Sequence, residues 1–183
     1  MSPRRPEPVF SPRDLEQVSA AVSMAEDRVT DFYKLSDSQW LRYRYDIRTL
    51  ADLREAEIVD GPFAQVIRYE ARPADASLGS STYDFYRICL QDHAILGAME
   101  GRPQLALRPF VLYIVTHELI HVVRFCKFLQ QFDASESERR REEDRVHHRT
   151  LEILAPVRIA GLEAVREFFR FWRERQEPFE SLR

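Results

Sequence analysis

The stretch His117-Glu118-Leu119-Ile120-His121 spells an H-E-x-x-H motif within a long apolar segment, residues 105–132. On a helix, residues four apart share a face, so the imidazoles of His117 and His121 can reach one metal ion. Glu118 lies beside them, where it can hold and deprotonate a water that the metal activates. The pattern therefore predicts a metal centre built on a single helix.

The residues around the motif are apolar on nearly every side, which is typical of a buried central helix. Two histidines and a glutamate are costly in such a helix unless they are paired or bind a metal. The alternative interpretation is a pair of hydrogen-bonded core histidines with an incidental glutamate. Four of the chain's five histidines fall between residues 117 and 148, and this clustering favours the metal centre.

Bulk composition narrows the class of protein. The chain has 183 residues, of which 31% are charged and 44% hydrophobic, and a net charge of -3. This profile predicts an ordinary folded domain and gives no indication of nucleic-acid binding. Cys89 and Cys126 are too few for a disulfide framework, so we expect a reducing, cytoplasmic setting. The N-terminus lacks the apolar run of a secretory signal, and the best apolar run, 110–116, is short for a membrane span.

The periodicity predicts one α+β domain over residues 11–183, preceded by a flexible arm at 1–10 that holds three prolines. Residues 39–57 mix strand and helix spacing, and Asp60-Gly61 resembles a hairpin turn between two extended pieces. A capping box of Ser135 and Glu138 precedes a second long helix. The predicted helices are 12–34, 91–100, 139–154 and 161–176 besides the motif helix, with strands at 63–71 and 82–90 and a loop at 72–81.

Two histidines do not complete a catalytic zinc site, which usually has three protein ligands and one open position. The third must come from elsewhere, and residues 141–148 are rich in ligand types. This segment belongs to the second long helix, which we expect to return antiparallel to the motif helix and to pass beside it.

The motif followed by a glutamate on the next helix resembles the gluzincin branch of the zincin metallopeptidases, over residues 57–155. The resemblance implies a small antiparallel or mixed sheet packed on the buried motif helix, then a ligand-bearing helix, with extra helices at both ends. It implies one zinc held by two histidines and a downstream glutamate, and a motif glutamate acting as general base. It also implies that strand 82–90 lines the cleft and pairs with an extended substrate.

Glu143 is the first choice for the third ligand. It shares a helical face with Leu151 and Leu154, which are predicted core residues, so that face should point at the motif helix. Glu142 shares a face with Val146 and Ile153 and is the second choice. His147 and His148 are further alternatives, and His147 can also support a ligand or donate to a transition state. The whole acidic run can equally be a solvated charged face.

A different metal centre is also compatible with the spacing. Glu118-x-x-His121 and Asp144-x-x-His147 resemble the carboxylate–histidine pairs of ferritin-like di-iron bundles. That fold needs two further helices with inward carboxylates, for which Glu26, Asp27, Asp92 and Glu100 are the candidates.

The expected function is that of a small zinc-dependent metallopeptidase, with Glu118 as general base toward a zinc-activated water and a peptide or protein as substrate. His117, His121 and Glu143 would hold the zinc. The non-enzymatic alternative is a zincin-like domain whose metal is structural and whose cleft only binds. The sequence indicates no nucleic-acid partner and no membrane span, and it does not indicate an oligomeric state.

Overall fold

A computed structural model describes residues 8–71, 82–131 and 133–176 of the chain. Within these residues the fold is α+β, with a three-stranded mixed sheet and six helices. The α+β class and the mixed sheet are therefore confirmed. The helices are α1 (Pro12–Tyr33), α2 (Asp37–Arg42), α3 (Asp92–Met99), α4 (Leu107–Cys126), α5 (Glu136–Leu154) and α6 (Leu162–Gln176), and the strands are β1 (Tyr45–Arg48), β2 (Ala64–Ala71) and β3 (Tyr83–Leu90).

The helices begin where their capping residues predict. Ser11 caps α1 and exchanges hydrogen bonds with Asp14, and Pro12 occupies the first turn, where its missing N–H costs nothing. The predicted capping box of Ser135 and Glu138 is present at the start of α5. The ambiguous segment 39–57 resolves into the end of α2, strand β1 and two short 3-10 turns.

The sheet has the order β1-β3-β2, with β1 parallel and β2 antiparallel to β3. Two expectations are wrong as a result. Strand 82–90 cannot pair with a substrate along its length, because β3 is central, with β2 paired to residues 83–90 and β1 to residues 86–89. The Asp60-Gly61 turn does not make a hairpin, because β2 pairs with β3, which follows it, and residues 55–57 before the turn form a 3-10 helix. The predicted loop 72–81 lies outside the described residues.

Helix α4 is the centre of the fold. It packs against α1, α5, α6 and strands β2 and β3. By length and composition α4 could cross a membrane, but 78% of its most apolar window is buried within the protein. Its all-round hydrophobicity is therefore accounted for by the core that surrounds it.

Helix α6 closes the core next to α4 with aromatic side chains. Phe169 stacks on Tyr113 of α4 with ring centroids 4.1 Å apart, and it meets Phe110 at 5.1 Å. Phe63, just before β2, joins the same group. Buried apolar residues from Phe10 to Phe169 form one continuous cluster, as a single hydrophobic core requires.

The predicted arm, residues 1–10, is anchored at its end. Phe10 is buried, and its backbone N–H donates to a carboxylate oxygen of Asp92 at 2.9 Å. The other oxygen of Asp92 accepts the N–H of Leu50 at 3.0 Å. Residues 1–7 lie outside the described part of the chain.

A buried carboxylate on the outer side of the sheet predicts acid sensitivity. Glu57 is 2% exposed; the Tyr69 hydroxyl donates to it at 2.5 Å and Arg87 pairs with it at 3.0 Å. The Tyr69 hydrogen bond, aided by Arg54 N–H and Arg87 and opposed by burial, lowers the pKa of Glu57 to about 2. Because the folded pKa lies below the unfolded value near 4.5, this stabilisation is complete above pH ~4.5 and is lost as pH falls toward 2.

We expect the free energy of unfolding to fall by about 3 kcal/mol from this group over that pH window. Urea unfolding of the wild type and of Glu57→Gln, followed by circular dichroism from pH 6 to 2.5, measures the contribution. The variant should show a shallower loss, whereas Glu55→Gln, at an exposed position in the same turn, should follow the wild type. Parallel curves for Glu57→Gln and wild type would contradict the assignment.

Candidate metal centre

Three side chains from α4 and α5 bring donor atoms together. Nε2 of His117 lies 3.1 Å from Oε2 of Glu143, and Nε2 of His121 lies 3.1 Å from Oε1 of the same carboxylate. The two Nε2 atoms are 3.3 Å apart. These are the two motif histidines and the first-choice glutamate, and they form a group that could hold a metal ion.

The antiparallel packing of α4 and α5 produces this meeting. Tyr113, early in α4, contacts His147, and Arg124, late in α4, contacts Glu142. His117 and His121 lie between these two contacts and therefore face the same stretch of α5. Glu143 sits at the margin of the buried face, with its side chain 53% exposed, so the cluster opens to solvent on that side.

Helix α6 holds the ligand-bearing part of α5 in place. Arg173 donates to the backbone carbonyl of Glu143 at 3.2 Å and forms an ion pair with Asp144. These contacts tie the backbone at Glu143 and the side chain of Asp144 to α6. Asp144 is thereby turned toward α6 and away from the motif.

The other ring nitrogen of each histidine has a partner. Nδ1 of His121 lies 3.0 Å from Oε1 of Gln130, and Nδ1 of His117 lies 3.5 Å from Oγ1 of Thr150. The Thr150 hydroxyl donates to the carbonyl of Val146, so its oxygen is left to accept. Each imidazole can therefore donate from Nδ1, which leaves the Nε2 lone pairs directed at the cluster. Partners of this kind orient metal-binding histidines.

The resulting arrangement brings two imidazole rings and one carboxylate into close contact. Two Nε2 atoms and a carboxylate meet within hydrogen-bond distance, so either protons on Nε2 or another cation must lie among the donor atoms. Burial disfavours a proton on His121, but the Glu143 carboxylate outweighs burial and raises the pKa of His121 to about 9. Burial also acts against ionised Glu143, but hydrogen bonds from His117 and His121 lower its pKa well below the usual range. The same donor atoms could hold a metal ion in place of those protons.

The donor set fits zinc in chemistry and in spacing. Two imidazole nitrogens and a carboxylate oxygen are common zinc ligands. With metal–ligand bonds of about 2.0–2.1 Å, tetrahedral geometry places neighbouring donor atoms about 3.3 Å apart. The two Nε2 atoms are 3.3 Å apart, and each lies 3.1 Å from a different oxygen of the Glu143 carboxylate, which is close to that spacing.

Glu118 lies near the cluster and interacts with it through charge, without a hydrogen bond to its residues. Its charge interacts with His117, His121 and Glu143, and burial raises its pKa. Within the described ranges, no hydrogen bond or ion pair joins the Glu118 carboxylate to another side chain. A carboxylate so placed is free to accept a proton from a water beside the cluster.

The other candidate ligands have different partners. Glu142 is buried and forms ion pairs with Arg124 and with Arg145, the latter at 2.5 Å. His147 receives a hydrogen bond from the Tyr113 hydroxyl at 2.5 Å, and burial followed by Arg173 lowers its pKa to about 4. His148 is exposed. None of the three joins the donor cluster of His117, His121 and Glu143.

The di-iron arrangement is not formed by the described residues. It needs a second carboxylate–histidine pair facing Glu118, but Asp144 pairs with Arg173. Glu26 accepts a hydrogen bond from Tyr45, and Asp92 accepts backbone N–H groups. Residues 64–71 and 83–90 form the strands β2 and β3 instead of helices of a bundle.

The two cysteines take no part in the site. Both are free thiols, and Cys89 is fully buried in β3. Burial raises the pKa of Cys89 to about 12 and that of Cys126 to about 11. Thiols that stay protonated are poor nucleophiles and poor ligands.

Sequence reasoning missed Gln130 and Thr150. Thr150 lies two turns after Glu143 on the same side of α5, so its helical position was a usable signal. Gln130 lies in the irregular segment after α4, where no periodicity applies, and only the fold brings it to His121.

We expect Gln130→Leu to weaken zinc binding by about 10–100-fold, because His121 loses the acceptor that fixes its ring. Competition with a chromophoric chelator measures the affinity. Gln131→Leu, at the exposed neighbouring position, is the matched control and should bind like wild type. An equal loss in both variants would mean that the segment, rather than the Gln130 hydrogen bond, matters.

Comparisons of this chain with protein-family models, curated proteins and solved structures find no match.

Proposed function

We propose that the protein is a zinc-dependent hydrolase, and that its substrates are peptides or proteins. The observation that carries the proposal is the meeting of His117 Nε2, His121 Nε2 and the Glu143 carboxylate, with each nitrogen 3.1 Å from one of the two carboxylate oxygens. One zinc per chain would be held by these three residues.

The open side of the cluster favours a catalytic over a purely structural metal. Structural zinc sites usually have four protein ligands, whereas catalytic sites keep a position for water or substrate. Among the described residues three ligands converge, and the most exposed of them, Glu143, borders solvent. When bound, zinc lowers the pKa of a coordinated water to about 7 and polarises a carbonyl group.

The protein's own groups supply the rest of the chemistry. Glu118 takes the proton of the attacking water and carries it to the leaving amine. Burial raises the pKa of Glu118, which suits a carboxylate that must first accept and then donate a proton. Gln130 and Thr150 hold the histidine rings, and Arg173 steadies the backbone at Glu143.

The peptide substrate follows from the resemblance of H-E-x-x-H plus a downstream glutamate to gluzincins. The corrected sheet changes one part of that analogy: β3 is internal, so a substrate backbone cannot add to it. Any strand-like pairing of substrate with the sheet must use an outer edge of β1 or β2.

Metal analysis combined with an unbiased peptide-cleavage assay tests the proposal. Purified protein reconstituted with zinc should retain about one zinc per chain after dialysis, and Glu143→Ala should retain far less. Mass spectrometry of a peptide mixture should show cleavage by the zinc-loaded protein that a chelator abolishes and zinc restores. Two irons per chain, or full zinc loading without cleavage of any peptide, would overturn the proposal.

A further inference from the structure

A second concave feature lies away from the metal cluster, between α1, α2 and β1. This cleft has a volume of about 480 Å³. Its wall contains three aromatic side chains, Trp40, Tyr43 and Tyr45, an arginine, Arg44, and two carboxylates, Asp46 and Glu26, the latter hydrogen-bonded to a tyrosine. No part of the proposed hydrolytic chemistry uses these residues.

The three rings stand at steep angles to one another. Trp40 and Tyr45 have centroids 5.5 Å apart at an interplanar angle of 72°, and Trp40 and Tyr43 are 6.1 Å apart at 66°. Rings set edge to face present π surfaces in several directions, and not as one flat stack. A cation is attracted to such faces by the ring quadrupole, and alkylated ammonium groups are recognised by aromatic walls of this kind.

The charge of the cleft comes from Glu26. Its carboxylate accepts a hydrogen bond from the Tyr45 hydroxyl at 2.6 Å. No cationic side chain of the described residues forms an ion pair with Glu26. A half-buried carboxylate with a neutral partner keeps its negative charge available to a bound cation.

The cationic side chains near the cleft interact with groups other than Glu26. Asp46, the other acid on the wall, pairs with Arg87 at 2.8 Å and with Arg48 at 2.8 Å. Arg44 also lines the cleft, and its guanidinium lies 3.8 Å from the centroid of the Tyr83 ring, which is not part of the cleft wall. The charge of Glu26 is therefore the one left to be balanced.

We propose that this cleft binds a trialkylammonium cation. The cationic head rests against Trp40, Tyr43 and Tyr45, and Glu26 provides the counter-charge. Val22 and Ile47 line the cleft with apolar surface that suits the methyl groups of such a head. The same head group occurs in choline and in trimethylated lysine, so the ligand chemistry is shared by a small molecule and a modified protein segment.

Tryptophan fluorescence gives a direct test. The chain has two tryptophans, so Trp172→Phe leaves Trp40 as the sole reporter. Titration with choline chloride at constant ionic strength should change the Trp40 emission and saturate, with a Kd of about 0.1–5 mM. The neutral carbon isostere 3,3-dimethylbutan-1-ol has the same shape without the charge and should bind at least about tenfold more weakly. Calorimetry on the unmodified chain provides the same comparison without any substitution.

Substitutions measure separately how much the Glu26 charge and the aromatic wall contribute to binding. Glu26→Gln should weaken choline binding by about tenfold, whereas Asp27→Asn, at the exposed next position of α1, should change it by less than about twofold. Tyr43→Leu removes one ring wall and is a second variant, read by calorimetry. A peptide with trimethyl-lysine and the same peptide without the methyl groups then distinguish the two sources. Tighter binding of choline and tighter binding of the methylated peptide each support the site. Absence of saturable binding by both, or equal affinity for the neutral isostere, overturns the proposal.

Discussion

Glu118→Gln is expected to lower hydrolysis by about 10²–10⁴-fold while the zinc content stays near one per chain. Glutamine keeps the shape of the side chain but cannot accept the proton of the attacking water. The separation is possible because Glu118 lies beside the donor atoms of His117, His121 and Glu143 without forming part of their group. Loss of activity with retained metal is the signature of a general base as opposed to a ligand.

Two measurements make that result interpretable. Zinc content by atomic emission and cleavage rate by mass spectrometry are taken on the same preparation. Glu163→Gln, on the exposed face of α6, is the matched control and should stay within about twofold of wild type, since exposed ion pairs contribute little. If Glu118→Gln lost its zinc, Glu118 would be a ligand or a support for one, and the proposed proton transfer would be wrong.

The sequence predicted the elements well because each carries a local signal. The capping boxes at Ser11 and Ser135 mark helix starts, and alternation in residues 64–71 marks a strand. Strand pairing carries no such signal. Asp60-Gly61 has hairpin composition, yet the partner of β2 is the later strand β3, because pairing is decided by which apolar faces α4 buries.

In the candidate site, too, some features follow from the local sequence and others only from tertiary packing. The motif placed His117 and His121 on one helical turn, and that geometry depends on the helix alone. The choice of Glu143 used a premise that is only partly true, because Leu154 is buried but Leu151 is not. The most buried face of α5 carries Glu142 and Val146. A solvent-accessible cluster needs its acidic ligand at the margin of that face, which is where Glu143 lies.

Adjacent glutamates on α5 therefore have different roles, and their removal should produce opposite phenotypes. Glu142 is 6% exposed and pairs with Arg124, which is 8% exposed. Removing one member of a buried ion pair leaves the other charge without compensation and costs about 3–5 kcal/mol. We expect Glu142→Ala to lower the free energy of unfolding by that amount, with zinc affinity per folded molecule little changed.

Glu143→Ala should do the reverse. Its side chain is half-exposed, and in the metal-free protein its loss should change the free energy of unfolding by about 1 kcal/mol or less. Zinc affinity should fall by more than the ~10–100-fold that loss of a supporting group costs, because a donor atom itself is removed. Urea unfolding in the presence of a chelator, and zinc competition below the unfolding transition, measure the two quantities independently.

The Arg124→Met/Glu142→Leu double variant, which removes both charges of the buried pair, should recover much of the stability lost in Glu142→Ala, because an apolar pair leaves no uncompensated charge. If Glu142→Ala lost zinc and Glu143→Ala lost stability, α5 would be rotated by one residue from the arrangement described, and the ligand would be Glu142.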